Sequence, residues 1–249
     1  MSEERILAAL SVDNVRAHVE HITQEIPSRL AGSDNAARMA QYSAEKFRQA
    51  GLEATVHTLP ALVSFPGPAE LRLLAPEERA IAANTLGHSV PTLPEGISGE
   101  LVYVASGSFA DYEGKDVVGK VTLSELSYSP ARHEKQRIAG LKGSIAQIMM
   151  NWGPPDNPAL PFGSVKPVWG NPTPETARTE MPTIPCIGIT RPAGLYLKEL
   201  CAKGKVRVWL RANVENGWKP IQVTTAELLV PAGDDFVVVG GHQDSWFGP

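Results

Sequence analysis

The chain has 249 residues, of which 43% are hydrophobic, and it carries a formal net charge of −4. This length allows one large domain or two ordinary ones, each with its own core. The acidic balance offers no cationic surface for phosphates, which argues against nucleic acid as a partner. No stretch approaches the roughly 20 apolar residues of a membrane span, and the acidic start is unlike a secretory signal. We therefore expect a cytoplasmic globular protein that binds neither nucleic acid nor a membrane.

The first 62 residues have the pattern of two amphipathic helices and a strand. Serine at helix starts, apolar residues at helical spacing and a following glycine or proline are the signals used. They predict a helix over residues 11–25, a second from Ser33 or Asp34 to about residue 51, and a strand over Glu53–Leu59.

Residues 63–205 differ from this opening, because short apolar strands and prolines dominate. The pattern predicts helices at 133–143 and 192–202, with strands at 69–74, 100–105, 119–124, 144–150 and 186–190. A proline-rich stretch, Gly153–Pro182, is predicted to be a long ordered loop. We interpret residues 63–205 as a separate β-rich domain inserted into another fold.

The last part of the chain, 206–249, returns to an α/β pattern. Strands are predicted at 206–212 and 222–229, and the fully apolar run Phe236–Val239 is typical of a central parallel strand that is buried on both faces. Ligands of such sheets bind at the carboxyl ends of the strands. His242, which follows this run, is therefore expected at a ligand-binding edge.

The segment Gly240-Gly241-His242-Gln243-Asp244 has the residue types of a metal-ligand site. Neutral imidazole is the commonest protein metal ligand, and its second ring nitrogen needs an acceptor that fixes its orientation. Asp244 could be that acceptor, and the two glycines would clear side chains from the approach of a metal. The alternative is that His242 only makes a structural hydrogen bond. The tripeptide His242-Gln243-Asp244 by itself does not decide between the two.

Other catalytic signatures are absent. The sequence has no Gly-x-Ser-x-Gly turn, no phosphate-binding Gly-x-x-x-x-Gly-Lys loop and no His-Glu-x-x-His helix. Cys186 and Cys201 do not form a Cys-x-x-Cys motif, and two reduced thiols are favoured over a disulfide. His18 and His21 share one helix face, where a solvated pair is favoured over a site.

The ending resembles the co-catalytic zinc aminopeptidase family, in the branch that includes glutamate carboxypeptidase II and its non-catalytic relative transferrin receptor. The likeness covers nearly the whole chain and rests on Gly240–Trp246, Ser28–Ser33, Gly96–Val104, Val118–Val121, Gly143–Met150 and Pro182–Pro185. It implies the N-terminal part of a zinc-aminopeptidase α/β sheet domain, with an inserted protease-associated domain at 63–205 between the peptidase segments 1–62 and 206–249.

The resemblance also implies site residues and a cofactor. His242 would bind one of two zinc ions and Asp244 would be the carboxylate that steadies the site, with Ser245 and Trp246 matching the pattern without an assigned role. The family then requires a bridging Asp, a Glu-Glu pair that contains the general base, a further acidic ligand and a last His, none of which follows before Pro249. A catalytic zinc needs about three protein ligands, so we expect the chain to be inactive alone.

These expectations define the predicted function and its alternative. The chain would be part of a dizinc peptidase that hydrolyses peptide or small amide bonds, completed by a companion chain or C-terminal segment carrying the other ligands, and hence an oligomer or a piece of a longer protein. The alternative is a non-catalytic binding module of the transferrin receptor type. The Gly153–Pro182 loop is a candidate roof over the site, and Arg132 and Arg178 are candidate carboxylate contacts, although solvated arginines are favoured.

Overall fold

The computed structural model describes residues 3–228 and 236–246. The chain divides into two compact units, of which one comprises Met1–Ala61 and Trp218–Pro249 and the other comprises Leu62–Gly217. We call them the outer unit and the inserted unit. The domain bounds predicted from the sequence, 1–62, 63–205 and 206–249, stay a prediction.

The described residues contain six α-helices, one 3₁₀ turn and eight strands. The helices are α1 (Glu3–Ala8), α2 (Val12–Glu25), α3 (Asp34–Gln49), α4 (Arg132–Leu141), α5 (Thr176–Thr179) and α6 (Arg191–Lys203), and the 3₁₀ turn is Ala110–Tyr112. The strands are β1 (Glu53–Ala75), β2 (Arg79–Ile81), β3 (Ala83–Thr85), β4 (Ile97–Tyr103), β5 (Val121–Glu125), β6 (Ala146–Met150), β7 (Cys186–Ile189) and β8 (Val206–Glu227).

The inserted unit is built around parallel strands. The order in its sheet is β2-β1-β3-β7-β6-β5-β4-β8, in which β4 to β7 pair in parallel and β3 and β8 pair antiparallel at their flanks. Strands β5, β6 and β7 are buried along their whole length, which is the environment that fully apolar parallel strands require.

Two apolar clusters lie on the two faces of this sheet. Ile148 and Met150 of β6 join the cluster that contains Leu197 of α6, whereas Met149 joins the cluster that contains Ile138 of α4. Successive side chains of a strand point to opposite faces, so the alternation along β6 explains why α4 and α6 cover different sides.

In the outer unit, serine caps begin the two long helices as predicted. Ser11 Oγ accepts a hydrogen bond from the Asn14 N–H and Ser33 Oγ from the Ala36 N–H, at 3.1 and 3.2 Å. Helix α3 buries Ala40 and Ala44 completely. Helix α2 buries no residue, so its valines lie on an exposed face.

Sequence patterns divided two strands that are continuous in the structure. The predicted strands 53–59 and 69–74 form the single strand β1, and the predicted strands 206–212 and 222–229 form β8. Prolines 60, 66 and 68 do not interrupt β1, because a strand tolerates proline wherever the missing N–H has no partner in the ladder. The mixed α/β fold itself is confirmed.

The predicted strand at Phe236–Val239 is wrong. These residues have no strand structure, and their four side chains are between 78% and 93% exposed. A parallel strand exists only where neighbours accept and donate its backbone hydrogen bonds, and no strand of the described residues pairs with this segment. Apolar composition alone could not supply those neighbours.

Candidate functional site

His242 and Asp244 form a hydrogen-bonded pair in the outer unit. His242 Nδ1 lies 2.8 Å from Asp244 Oδ1, and the two side chains are 91% and 46% exposed. The hydrogen bond with the carboxylate raises the pKa of His242 above its ordinary value. Because Asp244 occupies Nδ1, the imidazole turns its Nε2 outward, where a metal could be bound.

Arg29 holds the segment that carries this pair. Its Nε donates to the Gln243 carbonyl at 3.3 Å, and its Nη1 donates to the Ile22 and Ile26 carbonyls at 3.2 and 2.9 Å. One guanidinium thus ties the residue between His242 and Asp244 to the end of α2. The fixed fork of arginine donors suits such a multiple contact.

The backbone of Arg29 adds a second attachment. The Arg29 N–H donates to Ser245 Oγ at 3.0 Å, and the Ser245 N–H donates to the Arg29 carbonyl, also at 3.0 Å. Ser245 therefore has a role that the sequence did not reveal: it fixes the chain immediately after Asp244.

Thr224 of β8 contacts the same segment from another direction. Its hydroxyl lies 2.9 Å from the Ala40 carbonyl of α3 and 3.1 Å from the Gln243 side-chain oxygen. Sequence reasoning missed Thr224, because a threonine in a strand carries no local signal of a long-range contact. Arg29 lies within the Ser28–Ser33 stretch that carries the resemblance, but that stretch did not assign it a partner.

A cavity of about 570 Å³ adjoins the pair. Residues from the start of α3, from β8 and from the His242 segment line it: Ala31, Gly32, Ala36, Ile221, Gln222, Val223, Gly240, Gly241, His242, Gln243 and Asp244. Its volume falls within the range of about 300–1,000 Å³ that is usual for small-molecule sites.

Gly240 and Gly241 are not required by packing. A Cβ built on either glycine meets no atom within 4 Å, so the structure gives no steric reason for glycine there. That they leave room for a metal and a substrate stays a prediction.

The described residues supply no complete metal site. Among residues 3–228 and 236–246 no three side chains of His, Cys, Asp or Glu cluster as ligands. His18 and His21 instead contact Tyr42: His18 Nδ1 lies 2.6 Å from its hydroxyl, and the His21 ring stacks on it at 4.6 Å. His242 is therefore the ligand candidate with a supporting carboxylate.

The remaining predicted residues lie in the inserted unit. Cys186 and Cys201 are free thiols, as favoured. Arg178 is exposed within α5, and Arg132 begins α4 and lines a different cavity. No helix in the described ranges is long and apolar enough to cross a membrane.

Sequence comparison finds carboxypeptidase Q. The chain is 24% identical over 232 residues to the protein from Xenopus laevis and 25% identical over 236 residues to that from Bos taurus. These matches cover 89% and 90% of this chain and 47% and 48% of the relatives. The chain thus spans about half the length of the curated relatives it matches. No family model matches.

Structural comparison finds a peptidase precursor and two aminopeptidases, one of which is named as a zinc enzyme. A peptidase M28 precursor from Shewanella amazonensis matches with a TM-score of 0.72 and 20% identity, over 92% of this chain and 53% of its own. The aminopeptidase from Aneurinibacillus sp. strain AM-1 matches with a TM-score of 0.65 and 21% identity, over 90% of this chain and 50% of its own. A zinc aminopeptidase from Bacillus subtilis matches with a TM-score of 0.57 and 20% identity, over 84% of this chain and 44% of its own.

Together the comparisons relate this chain to carboxypeptidase Q in sequence and to peptidases in fold. The structural matches, all below 25% identity, show a shared fold, and the sequence matches are to proteins named as peptidases. The branch of glutamate carboxypeptidase II and transferrin receptor stays a prediction.

Proposed function

We propose that this chain forms part of a dizinc peptidase or amidohydrolase that cleaves peptide or small amide bonds, with His242 as a ligand of one zinc. The observation that carries this proposal is the 2.8 Å bond between His242 Nδ1 and Asp244 Oδ1. It fixes the tautomer in which Nδ1 holds the proton and Nε2 presents a lone pair, and a carboxylate behind a ligating histidine is the usual arrangement around zinc.

The residues present fit zinc as one ligand and one orienting carboxylate. Bound zinc would polarise an amide carbonyl and lower the pKa of water. Within this chain, Asp244 orients His242 and raises its basicity, while Arg29 and Ser245 hold the backbone that carries both side chains. Asp244 is therefore assigned a supporting role rather than proton transfer to the substrate.

The remaining ligands and the general-base glutamate are proposed to come from residues outside this sequence, in a companion chain or a C-terminal segment. Two considerations support this: a two-metal site needs more ligands than one histidine, and the relatives are about twice as long. We further propose that the inserted unit is a protease-associated domain, because its mixed sheet interrupts the outer unit where the resemblance expects that domain.

The test measures bound zinc and hydrolysis together in the protein completed by its downstream residues. His242→Ala should remove one zinc equivalent and the hydrolysis of aminoacyl amides, whereas Asp244→Asn should weaken zinc binding about 10- to 100-fold. His57→Ala is the matched control, because His57 lies in the same unit and bonds to Thr225. Full activity with two zinc ions in the His242→Ala protein would refute the assignment.

A further inference from the structure

A second cavity lies wholly within the inserted unit. It has a volume of about 670 Å³ and is formed by the loop after β5, the start of α4 and two more distant residues. Its lining is Leu126, Ser127, Tyr128, Ser129, Pro130, Ala131, Arg132, His133, Lys135, Trp152 and Ser164. The loop follows the carboxyl end of a parallel strand, which is the usual place for ligands in α/β sheets.

Within the part of the chain that the structure describes, Arg132 is the cation of this cavity that has no carboxylate partner. Its Nε is buried and has no hydrogen-bond partner, and no ion pair of the described residues involves its guanidinium. Burial lowers the pKa of Arg132, with no opposing effect from a carboxylate. The residue as a whole is half-buried, so part of its charge is removed from water without a partner, which is costly, and an anion beside it would offset that cost.

The neighbouring carboxylates are already paired with other groups. Glu125 accepts from Arg191 and Lys198 at 3.0 and 2.9 Å, and Glu134 is bound by Arg137 at 2.6 Å. These pairs leave Arg132 as the available cation, so a ligand of opposite charge would have no internal competitor.

Lys135 lines the cavity too, but its ammonium is in use. The side chain is 1% exposed, and its Nζ donates to the carbonyls of Ser106 and Tyr128. Lys135 thereby fixes the backbone of the loop that forms one wall, and it leaves ligand pairing to Arg132.

The guanidinium of Arg132 occupies a place that only glycine leaves open. A Cβ built on Gly163 would overlap Arg132 Nη1, and Gly163 has a φ of 141°. The segment is also fixed in position, because the Gly87 N–H donates to the Gly163 carbonyl and the Val165 N–H donates to the Gly87 carbonyl, both at 2.8 Å. The guanidinium of Arg132 therefore lies against a backbone segment that hydrogen bonds fix in position.

Aromatic side chains on the other walls indicate that the ligand has an apolar part. Tyr128 and Trp152 line the cavity while 60% and 65% exposed, so two aromatic side chains are free to cover an apolar group. A planar guanidinium matches a carboxylate through two parallel hydrogen bonds. We propose that this cavity binds a small organic carboxylate whose charged end pairs with Arg132 and whose apolar body lies against Tyr128 and Trp152.

The binding test uses the full chain and three small probes at constant ionic strength. Titration calorimetry should show one saturable site for 3-phenylpropionate, with no comparable binding of the uncharged 3-phenylpropanamide or of inorganic phosphate. The Trp152 indole resonance should shift during the same titration. Equal binding of the acid and the amide, or binding of phosphate in place of the acid, would overturn the proposal.

Variants test whether binding depends on Arg132 itself rather than on the overall positive charge of the chain. Arg132→Gln should weaken 3-phenylpropionate binding about 10- to 100-fold, the usual effect of losing a charge-assisted hydrogen bond, and Arg132→Lys should retain part of the affinity. Arg178→Gln removes an exposed arginine of the same unit and should bind like the unmodified chain. Gly163→Ala keeps Arg132 but displaces its guanidinium, so it tests the site should Arg132→Gln fail to fold. Unchanged affinity in folded Arg132→Gln or in Gly163→Ala would refute the assignment.

Discussion

Replacing Arg29 by Met should release the His242 segment from the outer unit. The substitution removes three hydrogen bonds from a half-buried guanidinium to the carbonyls of Ile22, Ile26 and Gln243, while the methionine keeps much of the apolar stem. Bonds from a charged donor contribute about 1.5–3 kcal/mol each, but contacts of one group do not add. We therefore expect the free energy of unfolding to fall by about 3 kcal/mol.

Urea unfolding followed by circular dichroism gives this free energy, and hydrogen exchange gives the local effect. The Ser245 amide donates to the Arg29 carbonyl, so its exchange should accelerate at least tenfold in the Arg29→Met protein. Arg38→Met is the matched control, since Arg38 is exposed and makes one bond, to Asn35; its effect should stay within about 0.5 kcal/mol. Equal stability of the two variants with unchanged Ser245 exchange would refute the role of Arg29.

Three further substitutions test local features by denaturant unfolding. Ser245→Ala should cost about 1 kcal/mol, because the Arg29 N–H loses its acceptor; no loss would show that this contact is dispensable. Gly194→Ala should lower the free energy of unfolding by about 1–2 kcal/mol although alanine favours helices, because its Cβ would collide with Met150. The control Gly204→Ala places its Cβ in open space and should leave stability unchanged. Equal effects of the two substitutions would contradict a collision with Met150. Burial lowers the pKa of Lys135 to about 8. Above that pH the folded chain has released the Lys135 proton, whereas the unfolded chain still binds it. The free energy of unfolding therefore rises with pH up to the ordinary lysine pKa. Relative to Lys135→Met, the free energy of unfolding should rise by about 1–3 kcal/mol from pH 7.5 to 10, and parallel pH curves would show that Lys135 is not shifted.

The helices and central strands were predictable because their signals are local. Ser33 caps α3 through its own side chain, three residues from the N–H that it accepts. The strands β5, β6 and β7 are short, apolar and bounded by turn residues, and each was located to within two residues. Local hydrogen bonding and burial determine such elements, so a single sequence contains the necessary information.

Features that depend on distant partners were not predictable. Strands β2 and β3 lie between the predicted strands 69–74 and 100–105, where no strand is predicted. They exist because β1 pairs with β2 and β7 pairs with β3. The continuity of β1 through its prolines likewise depends on which N–H groups face a neighbour. Periodicity carries no record of such pairings.

The candidate site shows the same division. The hydrogen bond between His242 and Asp244 joins residues two positions apart, so short spacing in the sequence was enough to suggest the contact, and the two atoms lie 2.8 Å apart. The hydrogen bonds that attach the His242 segment to Arg29 join residues more than two hundred positions apart. No local sequence pattern predicts them.

The exposed run Phe236–Val239 does not hold His242 in position. A strand end was expected to hold His242 by backbone pairing, yet these residues form no strand, and the segment is held instead by Arg29, Ser245 and Thr224. The imidazole and its carboxylate are therefore oriented relative to each other by their own bond, and relative to the outer unit by side-chain contacts and one backbone hydrogen bond, from the Ser245 N–H to the Arg29 carbonyl. A metal ligand needs both kinds of constraint. If zinc binding in the completed protein weakens in Arg29→Met as it does in Asp244→Asn, the Arg29 contacts are part of the metal site rather than of the fold alone.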